Sequence, residues 1–344
     1  MADAQVQQDG LVTDEGAISS DLAVALYEHM TIARVLDERL VTLQREGHIA
    51  QHAGALGEEA AIVGAAAAMR DEDWLFLSPR EMAAALWRGV PLLACARAAF
   101  GTGAEIASGR DAPLPPFSRR ACIASVSPLV GTHIPHAVGL AWAARLRHTD
   151  LASLVFFGDG ATSSSDFHAG LNFAGVARAP VIALCRNNGR AMSTPSSRQT
   201  ASRGLAIKAV AYGVRGVCVD GGDVVAVFHA VRTARERASA REGGTLIEAV
   251  TTPAFETEDT ETWSRRDPLA RLRRYMERHG LWNKDRDERL LAEAGMDVDR
   301  AVAHARGSDE SRIETLFSDV YAELPWHLRE QRDQSSRSAE GSLP

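Results

Sequence analysis

The apolar positions of the chain change period along its length. Over residues 21–44, Leu22, Val24, Leu26, Met30, Ile32, Val35, Leu36, Leu40 and Leu43 form one broad face at helical spacing, which predicts an amphipathic helix. Residues 58–69 are apolar on nearly every side and predict a buried helix. Residues 80–88 and Leu92–Phe100 also carry the helical pattern. From residue 151 short apolar runs alternate with helical stretches: 151–157, 181–185, 214–219 and Thr245–Val250 read as strands, 167–176 and 224–241 as helices. That rhythm predicts an α/β fold, a mostly parallel central sheet flanked by helices and joined by right-handed crossovers. Helices are added at the N-terminal side, and charge-rich helices follow Pro268. The prolines of 109–120 mark a loop. The expected organisation is a disordered arm over 1–20, a single domain over 21–330 and a disordered tail over 331–344.

Composition narrows the function classes. With 344 residues, 45% of them hydrophobic and 24% charged, the chain can build one large globular core. The net charge of −7 and the lack of any long basic block argue against a nucleic-acid partner. Cys95, Cys122, Cys185 and Cys218 form no CxxC pair, and most sit in or beside apolar runs, as buried free thiols in a reducing compartment do. The first residues, MADAQVQQDGLVTDEG, lack the basic and apolar regions of a signal peptide, and the apolar stretch 60–69 is too short to cross a bilayer. A cytoplasmic protein with no membrane partner is the expectation.

Two of the strands end in unusual polar turns, Gly158-Asp159-Gly160 and Asn187-Asn188-Gly189, separated by a single crossover of 26 residues. In an open parallel sheet ligands bind beyond the carboxyl ends of the strands. Mg²⁺ with a diphosphate needs hard oxygen ligands in octahedral array. Asp159 offers a carboxylate, Asn188 an amide oxygen and Arg190 a main-chain carbonyl. Gly158 and Gly160 allow close approach of phosphate to backbone, and a helix starting near 162–166 directs its N–H groups to the same place.

The segment GDGATSSSDFHAGLNFAGVARAPVIALCRNNGRAMSTP resembles the cofactor motif of the alpha subunits of 2-oxo acid dehydrogenase decarboxylase components, of the branched-chain (2-oxoisovalerate) and pyruvate types. The resemblance extends over about 22–331, through RVLDERLVTLQREGHI, GEEAAIVGAAAAM, DEDWLFLSPRE, SPLVGTHIPHAVGLAWAARL, DPLARLRRYM and LFSDVYAELPWHLREQ. It implies the thiamine-diphosphate-binding fold, with thiamine diphosphate and Mg²⁺ as cofactors. Asp159, Asn188 and the carbonyl of Arg190 are the implied metal ligands. Gly158, Gly160 and Ala161 line the diphosphate, Arg80 and Arg186 contact it, and Ser127 and Leu129 lie near the aminopyrimidine ring. The implied partners are a beta subunit, in a heterotetramer of two alpha and two beta chains, and a lipoyl-bearing transacylase. The implied activity is oxidative decarboxylation of a branched-chain 2-oxo acid or pyruvate, with acyl transfer to a lipoyl domain.

The chain departs from that family pattern at four places. Pro79 stands where the family has the Tyr of a Tyr-Arg pair, and Ser164 where it has a Glu. Arg190 replaces an aromatic residue, which leaves its carbonyl role intact. Residues 251–268, TTPAFETEDTETWSRRDP, contain no His, where the family has a Gly-rich turn and a His thought to assist acyl transfer. His133 and His136, on the segment entering the site, are the candidate catalytic histidines in its stead. Three readings therefore stay open: a working decarboxylase subunit, including the acetoin dehydrogenase type; a degenerate paralogue serving as scaffold or regulator; and a different Mg²⁺–diphosphate enzyme on a similar sheet.

Overall fold

The computed structural model describes residues 18–101, 114–252, 260–308, 315–318 and 321–340. The elements are, in chain order, α1 (Ser20–Arg45), α2 (Glu59–Ala67), β1 (Trp74–Phe76), α3 (Met82–Trp87), α4 (Leu92–Phe100), α5 (His133–Leu146), β2 (Ser153–Gly158), α6 (Ser165–Ala177), β3 (Val181–Asn187), β4 (Arg190–Ala191), β5 (Thr194–Pro195), α7 (Ser196–Gln199), α8 (Ala209–Tyr212), β6 (Arg215–Asp220), α9 (Val224–Ser239), β7 (Thr245–Val250), α10 (Thr260–Arg266), α11 (Pro268–Arg278), α12 (Lys284–Arg306), α13 (Thr315–Ser318) and α14 (Trp326–Glu340).

Five strands pair in the order β1-β2-β3-β7-β6, all parallel, as the alternation of periods predicts. Their sequences are continuously apolar because both faces are covered. Leu154, Phe156, Ile182, Leu184 and Ile247 point into one core with α1, α2, α9 and α11. Val155, Phe157, Val181, Ala183 and Cys185 point into a second core with α5 and α6. The first core is the larger. α2 lies inside it, with every residue from Glu59 to Ala66 buried, which explains its lack of a polar face. Its small side chains let other elements approach: a Cβ on Gly64 would lie 2.8 Å from the Val224 carbonyl oxygen.

Some expectations change. β1 and α5 are additions to the sequence reading. Residues 331–340, expected as tail, continue the helix α14 that starts at Trp326. Of the expected loop 109–120, residues 109–113 lie outside the described residues, and Ser118 is bridged to Ile123, which in turn bridges Leu75 of β1. The expected arm up to residue 17 and the last four residues also lie outside them. Among the described residues no helix is long and apolar enough to cross a membrane.

A buried ion pair fastens α9 to the start of β1. Asp73, fully buried, accepts from Arg235 Nε at 2.6 Å and from the Ala152 amide at 2.8 Å. Arg235 also donates to the Asp150 carbonyl at 2.6 Å. Asp73→Ala strips the enclosed guanidinium of its main counter-charge, and breaking a buried pair from one side costs about 3–5 kcal/mol. Urea unfolding is expected to show a loss of that size; a loss below about 1 kcal/mol, the scale of an exposed pair, would contradict the assignment.

Candidate functional site

The carboxyl ends of β2 and β3 lie side by side because the two strands pair in parallel from Ser153↔Val181 to Gly158↔Arg186. The two polar turns that follow are therefore neighbours. After Gly158 the backbone enters a tight turn of 3₁₀ helix, Asp159–Ser163, rather than α6 directly. α6 begins at Ser165, capped by Ser164, whose hydroxyl accepts from the Phe167 amide at 3.2 Å and donates to the Ala161 carbonyl at 2.8 Å. Ser164 thus has a structural task of its own where a Glu was expected. A Cβ on Gly158 would meet nothing within 4 Å, so the strand end faces open space, whereas one on Gly160 would lie 2.7 Å from Ala191 Cβ. Ala161 is buried beneath the turn.

Asp159 is buried and held from the hairpin that follows β3. Its Oδ2 accepts from Gln199 Nε2 at 2.8 Å and from Ser196 Oγ at 3.4 Å. The hairpin exists because Gly189 takes φ +82°, after which β4 pairs antiparallel with β5 and the Ser196 amide donates to the Gly189 carbonyl at 2.9 Å. In this way the second turn places α7 over the first. Arg190 is exposed at the start of β4.

The two asparagines are fixed by carboxylates from elsewhere in the fold. Asn187 Nδ2 donates to Glu248 Oε1 at 2.7 Å, and its Oδ1 accepts from the Gly189 amide at 2.9 Å. Asn188 Nδ2 donates to Glu58 Oε1 at 3.0 Å, and its Oδ1 accepts from the Arg190 amide at 3.2 Å. Glu58 is the centre of the charged cluster. It pairs with Arg186 through Oε2 and with Arg80 through Oε1 at 3.4 Å. Arg186 also pairs with Glu81 and donates to Ser78 Oγ at 3.4 Å.

This arrangement revises one expectation. The Arg186 guanidinium does not stand open to a diphosphate: it is enclosed, with about 1% of its side chain exposed, between two carboxylates. Burial lowers its pKa to about 9, and burial pushes the Glu81 carboxyl up to about 7. Of the two cations beside Glu58, Arg80 is the accessible one, a third exposed, and its Nε donates to the Gly54 carbonyl at 2.8 Å. Burial lowers the pKa of Arg80 as well.

The segment before α5 also reaches the site. Ser127 Oγ accepts from the Leu129 amide at 3.2 Å, and Leu129 and Val130 are exposed. Gly131, at φ +86°, lies so near α6 that a Cβ would come within 2.4 Å of Ser164 Oγ. His133 makes a structural contact. It is buried, its Nε2 is 2.6 Å from the Phe156 carbonyl, and burial lowers its pKa, so a neutral ring pins α5 to β2. His136 lies on the exposed side of α5. The acidic segment 251–268 is described only in part, since 253–259 lie outside the described residues. The indole ring of Trp263 closes over Gly57, where a Cβ would lie 2.9 Å from it.

Glu58, Glu81, Gln199 and Glu248 are the residues that sequence reasoning missed. A signal for Glu58 was available: an acid opening a helix that is apolar all round must be buried, and buried acids require partners.

The donor set fits Mg²⁺ with a diphosphate. Among the described residues no three His, Cys, Asp or Glu side chains form a metal cluster. A metal here would rest on one carboxylate and neutral oxygens, with the remaining ligands from a bound phosphate, the usual way Mg²⁺ is held. Gln199 Oε1, on the residue that holds Asp159, is a buried acceptor without a hydrogen-bond partner among the described residues.

The chain resembles known proteins over most of its length. The model of the family described as dehydrogenase E1 component matches residues 27–314. The 2-oxoisovalerate dehydrogenase subunit alpha 2, mitochondrial, of Arabidopsis thaliana is 36% identical over 327 residues, spanning 91% of this chain and 69% of that protein. The pyruvate dehydrogenase E1 component subunit alpha of Staphylococcus aureus is 32% identical over 344 residues, spanning 95% of this chain and 90% of that protein. The chain belongs to the dehydrogenase E1 component family.

Proposed function

We propose that this chain is the alpha subunit of a thiamine-diphosphate-dependent 2-oxo acid dehydrogenase that decarboxylates a branched-chain 2-oxo acid or pyruvate and passes the acyl group to a lipoyl domain. The observation that carries the reading is the pairing of the Asp159 and Asn188 turns on adjacent strand ends. The family depends on thiamine diphosphate, typically with a divalent metal. Bound there, the cofactor supplies the carbanion and electron-sink chemistry of decarboxylation, while the protein binds and orients. Asp159, Asn188 and the Arg190 carbonyl hold Mg²⁺. Gly158, Gly160 and Ala161 line the diphosphate, Arg80 answers its charge, and Ser127 and Leu129 border the aminopyrimidine.

A beta subunit completes the site in a heterotetramer, and a lipoyl-bearing transacylase takes the acyl group. The apolar side chains of Leu129 and Val130, each 66% exposed beside the site, support cover by a second chain. The reading places the protein in the cytoplasm.

The test is coexpression with a candidate beta chain and assay of 2-oxo acid decarboxylation with an artificial electron acceptor. Turnover that requires both chains, Mg²⁺ and thiamine diphosphate supports the proposal. A folded tetramer that turns over neither pyruvate nor any branched-chain 2-oxo acid contradicts it. One observation favours a second reading, a paralogue that does not acylate lipoate: residues 251–268 contain no His. Under that reading lipoyl acylation fails even where the artificial acceptor is reduced.

A further inference from the structure

A hard cation distinguishes the two ends of an asparagine amide sharply. The oxygen is a ligand; the NH₂ group, nearly the same in shape, carries positive charge toward the metal. An asparagine that serves a metal therefore needs something that decides which end faces it.

At Asn188 that decision is made by Glu58. Nδ2 donates to Glu58 Oε1 at 3.0 Å, and Oδ1 accepts from the Arg190 amide at 3.2 Å. An ionised carboxylate has no hydrogen to give. Turning the amide over would set Oδ1 against the Glu58 oxygen and the NH₂ group against the Arg190 N–H, so both contacts would become repulsive. Glu58 cannot swing away to relieve this. It is 1% exposed, its Oε2 is paired with Arg186, and Arg80 approaches Oε1 at 3.4 Å. Arg186 is fixed in turn by Glu81 and Ser78. Asn187 shows the same device one residue earlier, with its Nδ2 on Glu248.

We infer that Glu58 is a positioning residue: by holding Nδ2 it fixes the Asn188 amide so that Oδ1, not the NH₂ group, is the end offered to the metal. The inference rests on the proposed Mg²⁺–thiamine diphosphate site and adds a residue to it.

The test is a Mg²⁺ titration at fixed thiamine diphosphate, read by calorimetry on the alpha–beta complex, for wild type, Glu58→Gln, Asn188→Ala and the double variant. A glutamine can donate as well as accept, so it removes the lock while keeping the shape. Groups that orient a metal ligand are worth about 10–100-fold in metal affinity, and Glu58→Gln is expected to raise the half-saturating Mg²⁺ by that factor. Because Glu58 acts through Asn188, the double variant is expected to match Asn188→Ala to within about twofold, the usual scatter of double-variant comparisons. Effects that multiply in the double variant overturn the inference, since they mark a general structural role. Where Glu58→Gln fails to fold, Glu58→Asp keeps the charge on Arg186 but withdraws from Asn188; an unchanged Mg²⁺ requirement in it overturns the lock. Asp159→Ala separates the two levels. If it leaves the titration unchanged, the site reading itself fails. If it abolishes binding while both Glu58 variants bind Mg²⁺ normally, only the lock fails.

Discussion

Arg186→Met is expected to remove about 3–5 kcal/mol of folding stability, a large part of what a domain of this kind possesses. The substitution preserves most of the side-chain volume, so cavity formation is not the cause. The cause is electrostatic: Arg186 is the shared counter-charge of Glu58 and Glu81, both of which are buried. Without it two carboxylates are left in an enclosed space, and among the described residues Glu81 keeps only Ser78 and Glu58 only Asn188 and a distant Arg80 contact. The loss carries a pH signature. Burial already raises the Glu81 carboxyl from 4.5 to about 7 in the native protein. An acid whose pKa is higher folded than unfolded binds more protons in the native state, so its protonation stabilises the fold below that value and the stabilisation is lost as pH rises through it. Losing Arg186 raises the Glu81 carboxyl further, so the deficit relative to wild type is expected to be largest at alkaline pH and to shrink as pH falls toward 7, below which Glu81 is protonated in both native proteins and the deficit levels off. Chemical denaturation across that range checks both claims. A deficit independent of pH would indicate that lost packing, not unpaired charge, is responsible.

The parts of the fold that obey one simple period were legible in the sequence. Thr245–Val250 is a strand as expected, and the helix expected over 21–44 is observed as Ser20–Arg45. β1 was not legible, because three residues after Asp71, Glu72 and Asp73 are too short to show any period. α5 carries Pro135 and Gly139 within its span, which mask its helical pattern. The end of α14 is polar on all sides, so composition alone read 331–344 as tail. At the site, the turns around Asp159 and Asn188 could be found because chemistry and position are both local. The contacts that hold them could not. Arg186 and Glu58 are 128 positions apart, and Asn187 and Glu248 are 61 apart. The resemblance therefore gave Arg186 to an external anion, whereas the fold encloses it between two carboxylates. His133 shows the same limit, since its partner is a main-chain carbonyl on β2.

Asp159→Ala carries the largest expected functional effect. Asp159 is the only side chain of the proposed metal set with a formal negative charge; Asn188 and the Arg190 carbonyl are neutral oxygens. Its Oδ2 is also the point to which α7 is tied, through Gln199 at 2.8 Å and Ser196 at 3.4 Å. Removing it takes away the charge that holds Mg²⁺ and loosens the hairpin that closes over the turn. The fold itself should persist, because Asp159 belongs to neither hydrophobic core. The most direct measurement is thiamine diphosphate binding by calorimetry, with and without Mg²⁺, on wild type and Asp159→Ala in the presence of a beta partner. The expected result is tight Mg²⁺-dependent binding by the wild type and none by a folded Asp159→Ala. Equal affinity of the two proteins, or wild-type binding that does not change when Mg²⁺ is withheld, would contradict the assignment of this site.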